Sequence, residues 1–444
     1  MRLFPRIGLG LLLAACGPSS MNTGDDLNPA PDADTRPATT IEGTVYAPGN
    51  APGQVPTGQE IAISGAHVWL TFDRPADIPQ GVYCDQCDTG NPAEVYSDAK
   101  GHFVLPAPVG QNWLIIQKGQ FRLDQQVTVD ANQMITLPPD ATTLPSIHDP
   151  ANGKFRPHIA LAEGLWDDIE AIMGKMGIGK VDEYGEFVGT SAVGNFDLYE
   201  NGSGQYGDYA IGDLNSLIHD VNKMKTYHII FVPCSDGDNT ELFTNPQLRE
   251  NIREYVRSGG KFYVTDWSAE WEDSVYPEFV KFVSDHDTTN MNGPFSEGDG
   301  FPGYTSEHAK AMDPDLTAWL DGQTGPLVGG GWGDYRVGTI DAEDFAVEGN
   351  WDHIDSLGNV QVGIGPDGLP AYETPHAWVM GDWEDGAGPT HPLTVTFEPA
   401  GCGRILYSTY HTADDIHVGL VPQERVLLYL IMEIQECKRG PIIN

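Results

Sequence analysis

"IIFVPCSDGDNTELFTNPQLRENIREYVRSGGKFYVTDWS", residues 229–268, holds two short apolar runs separated by a segment with helical periodicity. Residues 228–234 are strongly apolar and predict a buried strand, and residues 261–266 predict the strand that follows it. Between them, apolar residues recur at helical spacing and end at a glycine pair, a typical helix stop: Leu248, Ile252, Tyr255, Val256, Gly259 and Gly260. A strand–helix–strand unit predicts a parallel sheet wrapped by helices, with functional loops at the carboxyl ends of the strands.

The same pattern continues on both sides of this stretch. Residues 158–162 form another continuous apolar run, and helical spacing follows over 166–176 and 214–224. A last helix over 422–434 is apolar nearly all round, so we expect it to be buried. We place the α/β domain at residues 158–437. It is interrupted at about 284–399 by a long, irregular Gly-, Trp- and Pro-rich insertion with a few short strands.

Residues 41–140 have a different pattern. Short runs alternate between apolar and polar residues, turns separate them, and no helical period appears. Such spacing predicts a small antiparallel β-sandwich. Residues 141–157 are proline-rich and read as a linker, so the fold class is multidomain, a β-sandwich followed by an α/β domain.

The sandwich region resembles the carboxypeptidase regulatory-like, transthyretin-like domain. The matching pieces are Gly43-x-Val45, Gly65-Ala66-x-Val68 and Ser97-Asp98-x-x-Gly101-x-Phe103. The resemblance implies a fold; such modules serve as spacers, docking surfaces or binders.

The opening stretch, together with "GCGRILYSTYHT" at residues 401–412, resembles the class I glutamine-amidotransferase-like proteins, closest to the trehalose-utilisation-type branch. The resemblance implies a flavodoxin-like parallel sheet. In that family a nucleophilic cysteine occupies a sharp strand-to-helix turn, where this chain has Asp266 or Trp267. His411 matches the family's histidine, but Ala413 stands where its acid usually lies, with Asp414 and Asp415 nearby. The resemblance therefore does not predict amidase activity.

Residues 266–273 are the densest functional candidate, with two tryptophans among four acids. Asp266, Glu270 and His411 are the candidate residues of a hydrolytic site. Trp267 and Trp271 would share one face of a helix and, beside carboxylates, would suit stacking on a sugar or enclosing a cation. Alternatively, one or both tryptophans pack this segment onto the sheet.

Metal and cofactor signals are weak. Asp236 and Asp238 place oxygen ligands at alternate positions, a spacing that can hold Ca2+, but the distal glutamate of a full calcium loop is missing. A turn with solvated carboxylates is the alternative. The histidines do not form a His-Glu-x-x-His pair and the glycine run at 329–333 is not a phosphate loop, so no other metal or cofactor is predicted.

The cysteines leave several pairings open. Cys84 and Cys87 form a lone Cys-x-x-Cys, which lacks the second pair that a zinc site needs and lies beside Asp85 and Asp88, which disfavour a thiolate. A local disulfide is the expected reading. Cys402 and Cys437 could form a second bridge that pins the C-terminus. Cys234 would then be left over as a buried core residue.

The first residues carry a basic segment and a short apolar run that ends at Leu13-Ala14-Ala15-Cys16. This ending resembles the lipobox of bacterial lipoproteins, which implies that residues 1–15 are a signal peptide and that Cys16 is acylated. An ordinary secretory signal is the alternative. Residues 16–40 are polar and proline-rich and should form a flexible stalk. Gly17 is not the aspartate of inner-membrane retention, so the outer membrane is the expected destination.

The chain carries 64 acidic against 24 basic side chains, a formal charge of −40. Nucleic acids and anionic lipid surfaces would repel it and are excluded as partners. We therefore expect a lipid-anchored envelope protein that binds a carbohydrate, a peptide or an envelope component without catalysis. The alternatives are a hydrolase of glycans or amides at Asp266, Glu270 and His411, and a structural docking module that binds an envelope protein through its sandwich.

Overall fold

The computed structural model describes residues 39–84, 94–188, 195–202, 209–235, 240–282, 304–327, 336–350, 352–382, 390–399, 401–413 and 417–433. They belong to one compact, β-rich unit. Among these residues, no helix has the length and apolar character needed to cross a membrane.

The N-terminal part contains two sheets. Its strands are β1 (Thr40–Thr44), β2 (His67–Thr71), β3 (Glu94–Tyr96), β4 (His102–Pro106), β5 (Gly110–Lys118), β6 (Phe121–Val129), β7 (Met134–Thr136) and β8 (Lys154–Phe155). The sheet orders are β4-β1-β7 and β3-β2-β5-β6-β8. Their inward side chains share one core, as expected of a sandwich. The pairing is antiparallel except between β1 and β7, which run parallel, and β8 comes from the segment interpreted as a linker.

The remaining strands are β9 (Ile159–Ala162), β10 (Asp197–Glu200), β11 (Gly212–Asp213), β12 (Ile229–Val232), β13 (Lys261–Thr265), β14 (Val280–Phe282), β15 (Tyr304–Ala311), β16 (Thr324–Leu327), β17 (Arg336–Thr339), β18 (Phe345–Asn350), β19 (Ile354–Leu357), β20 (Val360–Ile364), β21 (Pro370–Glu373), β22 (His376–Gly381), β23 (His391–Phe397) and β24 (Arg404–Ser408). The helices are α1 (Ile169–Lys175), α2 (Leu214–His219), α3 (Val221–Met224), α4 (Thr240–Thr244), α5 (Pro246–Arg257), α6 (Glu270–Asp273), α7 (Pro314–Leu320) and α8 (Pro422–Glu433).

A ten-stranded mixed sheet forms the centre, in the order β11-β10-β9-β12-β13-β24-β23-β22-β15-β18. The first six strands are parallel, as predicted for the α/β region, and the last four are antiparallel. The prediction of an irregular insertion was therefore wrong in part. The insertion contributes β15, β18, β22 and β23, which extend the sheet. Their backbone groups pair with the edge that β24 would otherwise leave open.

Helices cover both faces of this sheet. α1, α7 and α8 pack on one face, in a core that is continuous with the sandwich, and α2, α5 and α6 pack on the other. α8 is buried along almost its whole length, as its composition predicted. The helix predicted over 166–176 starts only at Ile169, so Trp166 lies in the preceding loop. The helix predicted over 214–224 is broken at Asp220, whose carboxylate caps α3.

An arm at residues 78–84 lies along the amino-terminal edge of the parallel strands. Cys84 forms a disulfide with Cys402, with their Cα atoms 5.4 Å apart. The Val82 N–H donates to the Lys225 carbonyl at 3.0 Å. The expected pairings Cys84–Cys87 and Cys402–Cys437 were wrong, because the arm brings Cys84 to the residues just before β24. Cys87 and Cys437 lie outside the described residues.

Candidate functional site

The loops that follow β9, β12, β13 and β24 meet at one edge of the sheet. These strands are neighbours and run parallel, so their carboxyl ends point the same way. The loops carry the side chains with acid–base chemistry: Glu163, Asp167, Cys234, Asp266 and His411. The chain turns to opposite sides of β9 to form β10 and β12, and ligands bind at such a crevice in open α/β sheets.

Asp266 occupies a strained turn directly after β13. Its φ is +45°, in the left-handed region that non-glycine residues rarely adopt. A 3-10 turn over Asp266–Ser268 and then α6 follow, so the chain passes sharply from strand to helix. The Tyr407 hydroxyl donates to the Asp266 carbonyl at 3.1 Å. A conformation of this kind costs about 1–3 kcal/mol and is typical of functional sites.

The rest of residues 266–273 is mostly core. Trp271 is 1% exposed and packs against Phe262, with ring centroids 6.5 Å apart. Glu270 begins α6 and is also buried. Trp267 alone in this strip is partly exposed. Trp267 lies in the 3-10 turn before α6, and Trp271 is buried within α6. The two tryptophans therefore do not present one helical face to solvent.

His411 is buried after β24 and its ring orientation is set by the backbone. Its Nδ1 lies 2.7 Å from the Thr412 carbonyl, which can only accept, so Nδ1 carries a proton and donates it to that carbonyl. The ring lies against Gly349, where a Cβ would come within 2.2 Å of the His411 Cε1.

Asp167, which the sequence analysis placed in a helix, connects these loops. Its carboxylate accepts hydrogen bonds from the Thr265 hydroxyl at 2.6 Å and from the Thr412 N–H at 3.0 Å. Burial raises the pKa of Asp167, and the nearby His411 and the hydrogen bonds from both threonines oppose that rise. The available signal was its position five residues beyond the apolar strand β9.

Cys234 is a buried free thiol at the same edge, as predicted. Burial raises its pKa well above the usual value, the carboxylates of Asp266 and Asp167 raise it further, and the thiol is hydrogen-bonded to the Asp266 side chain and the Trp267 backbone. A thiol that resists ionisation is a poor nucleophile.

Trp166 contacts the same residue through its backbone and is 55% exposed. The Trp166 N–H donates to the Cys234 carbonyl at 3.4 Å, while the Trp267 backbone contacts the Cys234 sulfur. The backbones of one exposed and one partly exposed tryptophan thus contact the same residue at the carboxyl edge. Trp166 could not be singled out from the sequence, because helical spacing placed it on a helix.

The candidate calcium ligands Asp236 and Asp238 lie outside the described residues. Within the part of the chain that the structure describes, no group of three or more His, Cys, Asp or Glu side chains is arranged to hold a metal ion.

Comparisons with known proteins give weak structural neighbours. No family model matches the chain, and no curated protein matches it. A cytoplasmic protein of Salmonella typhimurium is similar at a TM-score of 0.30 and 13% identity, over 59% of this chain and 90% of that one. A GH42 beta-galactosidase of G. stearothermophilus is similar at a TM-score of 0.25 and 10% identity, over 64% of this chain and 31% of the enzyme.

Proposed function

We propose that this protein is a lipid-anchored envelope protein that binds carbohydrate at the carboxyl edge of its parallel sheet. The observation that carries the proposal is that the backbones of Trp166 and Trp267 both contact Cys234 at this edge, and that the Trp166 side chain is 55% exposed. Indole rings offer a large flat apolar face at little entropic cost, which suits stacking on a sugar ring. The exposed carboxylate of Asp168 next to this pair can accept hydrogen bonds from sugar hydroxyls.

Charge narrows the class of sugar. Asp167, Asp168 and Asp266 belong to the two loops that carry these tryptophans, and the whole chain is strongly acidic. An anionic sugar would be repelled, so the ligand is a neutral or an amino sugar. Asp266 and His411 are at most 3% exposed, which favours binding over catalysis.

The strand order supports a flavodoxin-like assignment for the α/β domain. In order of appearance, β9, β10, β12, β13 and β24 lie in the spatial order 2-1-3-4-5, which is that of flavodoxin-like sheets. The two sheets that share one core support the transthyretin-like assignment for the N-terminal part. We propose both as the family relationships of the chain.

The Cys84–Cys402 disulfide supports an exported location, because disulfides persist in oxidising compartments. The lipobox-like residues 13–16 would supply the anchor. Expression of the full chain in a bacterium fed an alkyne fatty acid tests this proposal. The wild type should incorporate the label and Cys16→Ser should not; equal labelling of both would exclude acylation at Cys16.

Sugar binding is tested by calorimetry of the full chain with chitohexaose, cellohexaose, a glucosamine hexamer and an oligogalacturonate. We expect binding to at least one of the first three and none to the last. Trp166→Ala and Trp267→Ala should each weaken affinity about tenfold, which corresponds to about 1.4 kcal/mol of lost stacking. Phe72→Ala is the matched control, because Phe72 is an aromatic residue that is 74% exposed in the sandwich. Wild-type affinity in both tryptophan variants would refute the proposal.

The strained backbone of Asp266 favours a second candidate, a glycan hydrolase in which this carboxylate acts in the reaction. Release of 4-nitrophenol from 4-nitrophenyl glycosides by the wild type, absent in Asp266→Asn, would support it. Equal background rates in both proteins would exclude it for those substrates.

A further inference from the structure

We infer that Asp167 is the positioning residue of this site, which holds Asp266 and His411 in one fixed arrangement. Its carboxylate accepts hydrogen bonds from Thr265 and Thr412. Thr265 directly precedes Asp266, and Thr412 directly follows His411. The inference rests on the proposed function, since it concerns the same edge. It also gives His411 an acidic neighbour from a distant loop, where Ala413 cannot supply one.

The Thr265 contact fixes the start of the strained turn. The Thr265 hydroxyl donates to Asp167 at 2.6 Å and accepts the Cys234 N–H at 2.8 Å. A single hydroxyl thus connects the loops after β9, β12 and β13. Because Asp266 follows immediately, its left-handed conformation is held by a residue whose side chain cannot rotate without breaking both bonds.

The Thr412 contact fixes the histidine. The Thr412 N–H and hydroxyl both bond to Asp167, and the hydroxyl also accepts the Asp168 N–H at 2.8 Å. The carbonyl of the same Thr412 accepts the His411 Nδ1–H. Asp167 therefore holds the group that places a proton on the His411 Nδ1.

A comparison with Glu170 shows that these bonds are specific. Both carboxyl groups are fully buried in the same region, but neither oxygen of Glu170 has a hydrogen-bond partner among the described residues. Asp167 has three donors, which compensate for the loss of water. A buried acid with this set of partners is built to hold its neighbours in place.

The tautomer of His411 is the readout, measured by long-range ¹H–¹⁵N NMR on the full chain at pH 8 and assigned with His411→Gln. Asp167→Asn keeps the size of the side chain but has one oxygen, so it can accept from only one of the two threonines in the present geometry. We expect a single Nδ1–H tautomer in the wild type and a mixture in Asp167→Asn. Asp130→Asn, the same substitution at an exposed carboxylate outside the site, should match the wild type.

A folded Asp167→Asn protein with the wild-type tautomer would overturn the inference. If Asp167→Asn does not fold, Thr265→Val decides, because it removes one donor and keeps the carboxylate. The Thr412 amide proton should then shift, and an unchanged resonance would overturn the inference. The sugar titrations test the proposed function independently of the tautomer. If the wild type binds no sugar, the proposed function is refuted, but the result on the His411 tautomer is unaffected.

Discussion

His228 should make this fold lose stability as the pH falls from neutral to mildly acidic. Its Nδ1 accepts the His158 N–H at 2.8 Å and its Nε2 donates to the Pro79 carbonyl at 2.9 Å, so the neutral ring joins the arm to the start of β12. Burial lowers the pKa of His228 from 6.5 to about 4, and the nearby Lys261, His158 and His148 add to the effect. The hydrogen bond to Pro79 opposes this shift.

The sign and the size of the His228 contribution to the free energy of unfolding follow from proton linkage. The unfolded chain binds the proton at higher pH than the folded chain, so the contribution of His228 is complete above pH 6.5 and is lost as pH falls toward about 4. The full loss is about 3 kcal/mol, of which about 2 kcal/mol is reached at pH 5. That is a sizeable part of the stability of a typical domain.

The assay is urea unfolding of wild type and His228→Gln at pH 7, 6 and 5, followed by tryptophan fluorescence. The amide of glutamine stays neutral, so the variant should be less stable at pH 7 but lose about 2 kcal/mol less than the wild type on going to pH 5. All other titrating groups are common to both proteins and cancel in the difference. His102→Gln, at an exposed position in β4, should retain the wild-type slope. Parallel stability curves for wild type and His228→Gln would refute the reasoning.

Three further predictions concern the Cys84–Cys402 disulfide and the site. Cys84→Ser should lower the free energy of unfolding by about 2–5 kcal/mol, and dithiothreitol should shift the urea midpoint of the wild type but not of the variant; an equal response to reductant would contradict this. Glu170→Gln should raise the melting temperature, and by more at pH 9 than at pH 6. Burial and the acids Asp168 and Asp167 raise the pKa of Glu170, so the wild-type folded state loses stability as pH rises. A melting temperature of the variant below that of the wild type at pH 9 would contradict this prediction. Gly349→Ala should lower the free energy of unfolding by about 1–3 kcal/mol, because the new Cβ would meet the His411 ring at 2.2 Å. The control is Gly368→Ala, which has a similar positive φ but nothing within 4 Å of its Cβ. An equal loss of stability in both variants would show that the ring contact is unimportant.

What the sequence could predict depended on how local each signal is. β12, β13 and α5 were predictable because apolar runs and helical spacing are properties of adjacent residues, and Gly259 ends α5 at a φ of +107°. The short strands inside the insertion were also visible, but their place at the edge of the central sheet was not, because pairing partners are set by the three-dimensional fold.

The site was only partly predictable for the same reason. Asp266 and His411 could be proposed because each directly follows a strand. Asp167 could not, because its partners Thr265 and Thr412 are 98 and 245 residues away in sequence. Trp166 and Trp271 show the limits of helical spacing. That spacing put Trp166 on a helix and left Trp271 as either a ligand contact or a packing residue, whereas the structure exposes the first and buries the second.

Cys84 and Cys402 are 318 positions apart in the sequence, and this separation orders the events of biosynthesis. Cys84 can meet Cys87 and Cys234 before its native partner has been synthesised. An oxidant that joins cysteines in order of emergence would trap a non-native bridge. The arm can therefore close correctly only after nearly the whole chain has appeared, or after an isomerase has exchanged an early bridge, so maturation of this protein is tied to completion of its last strand.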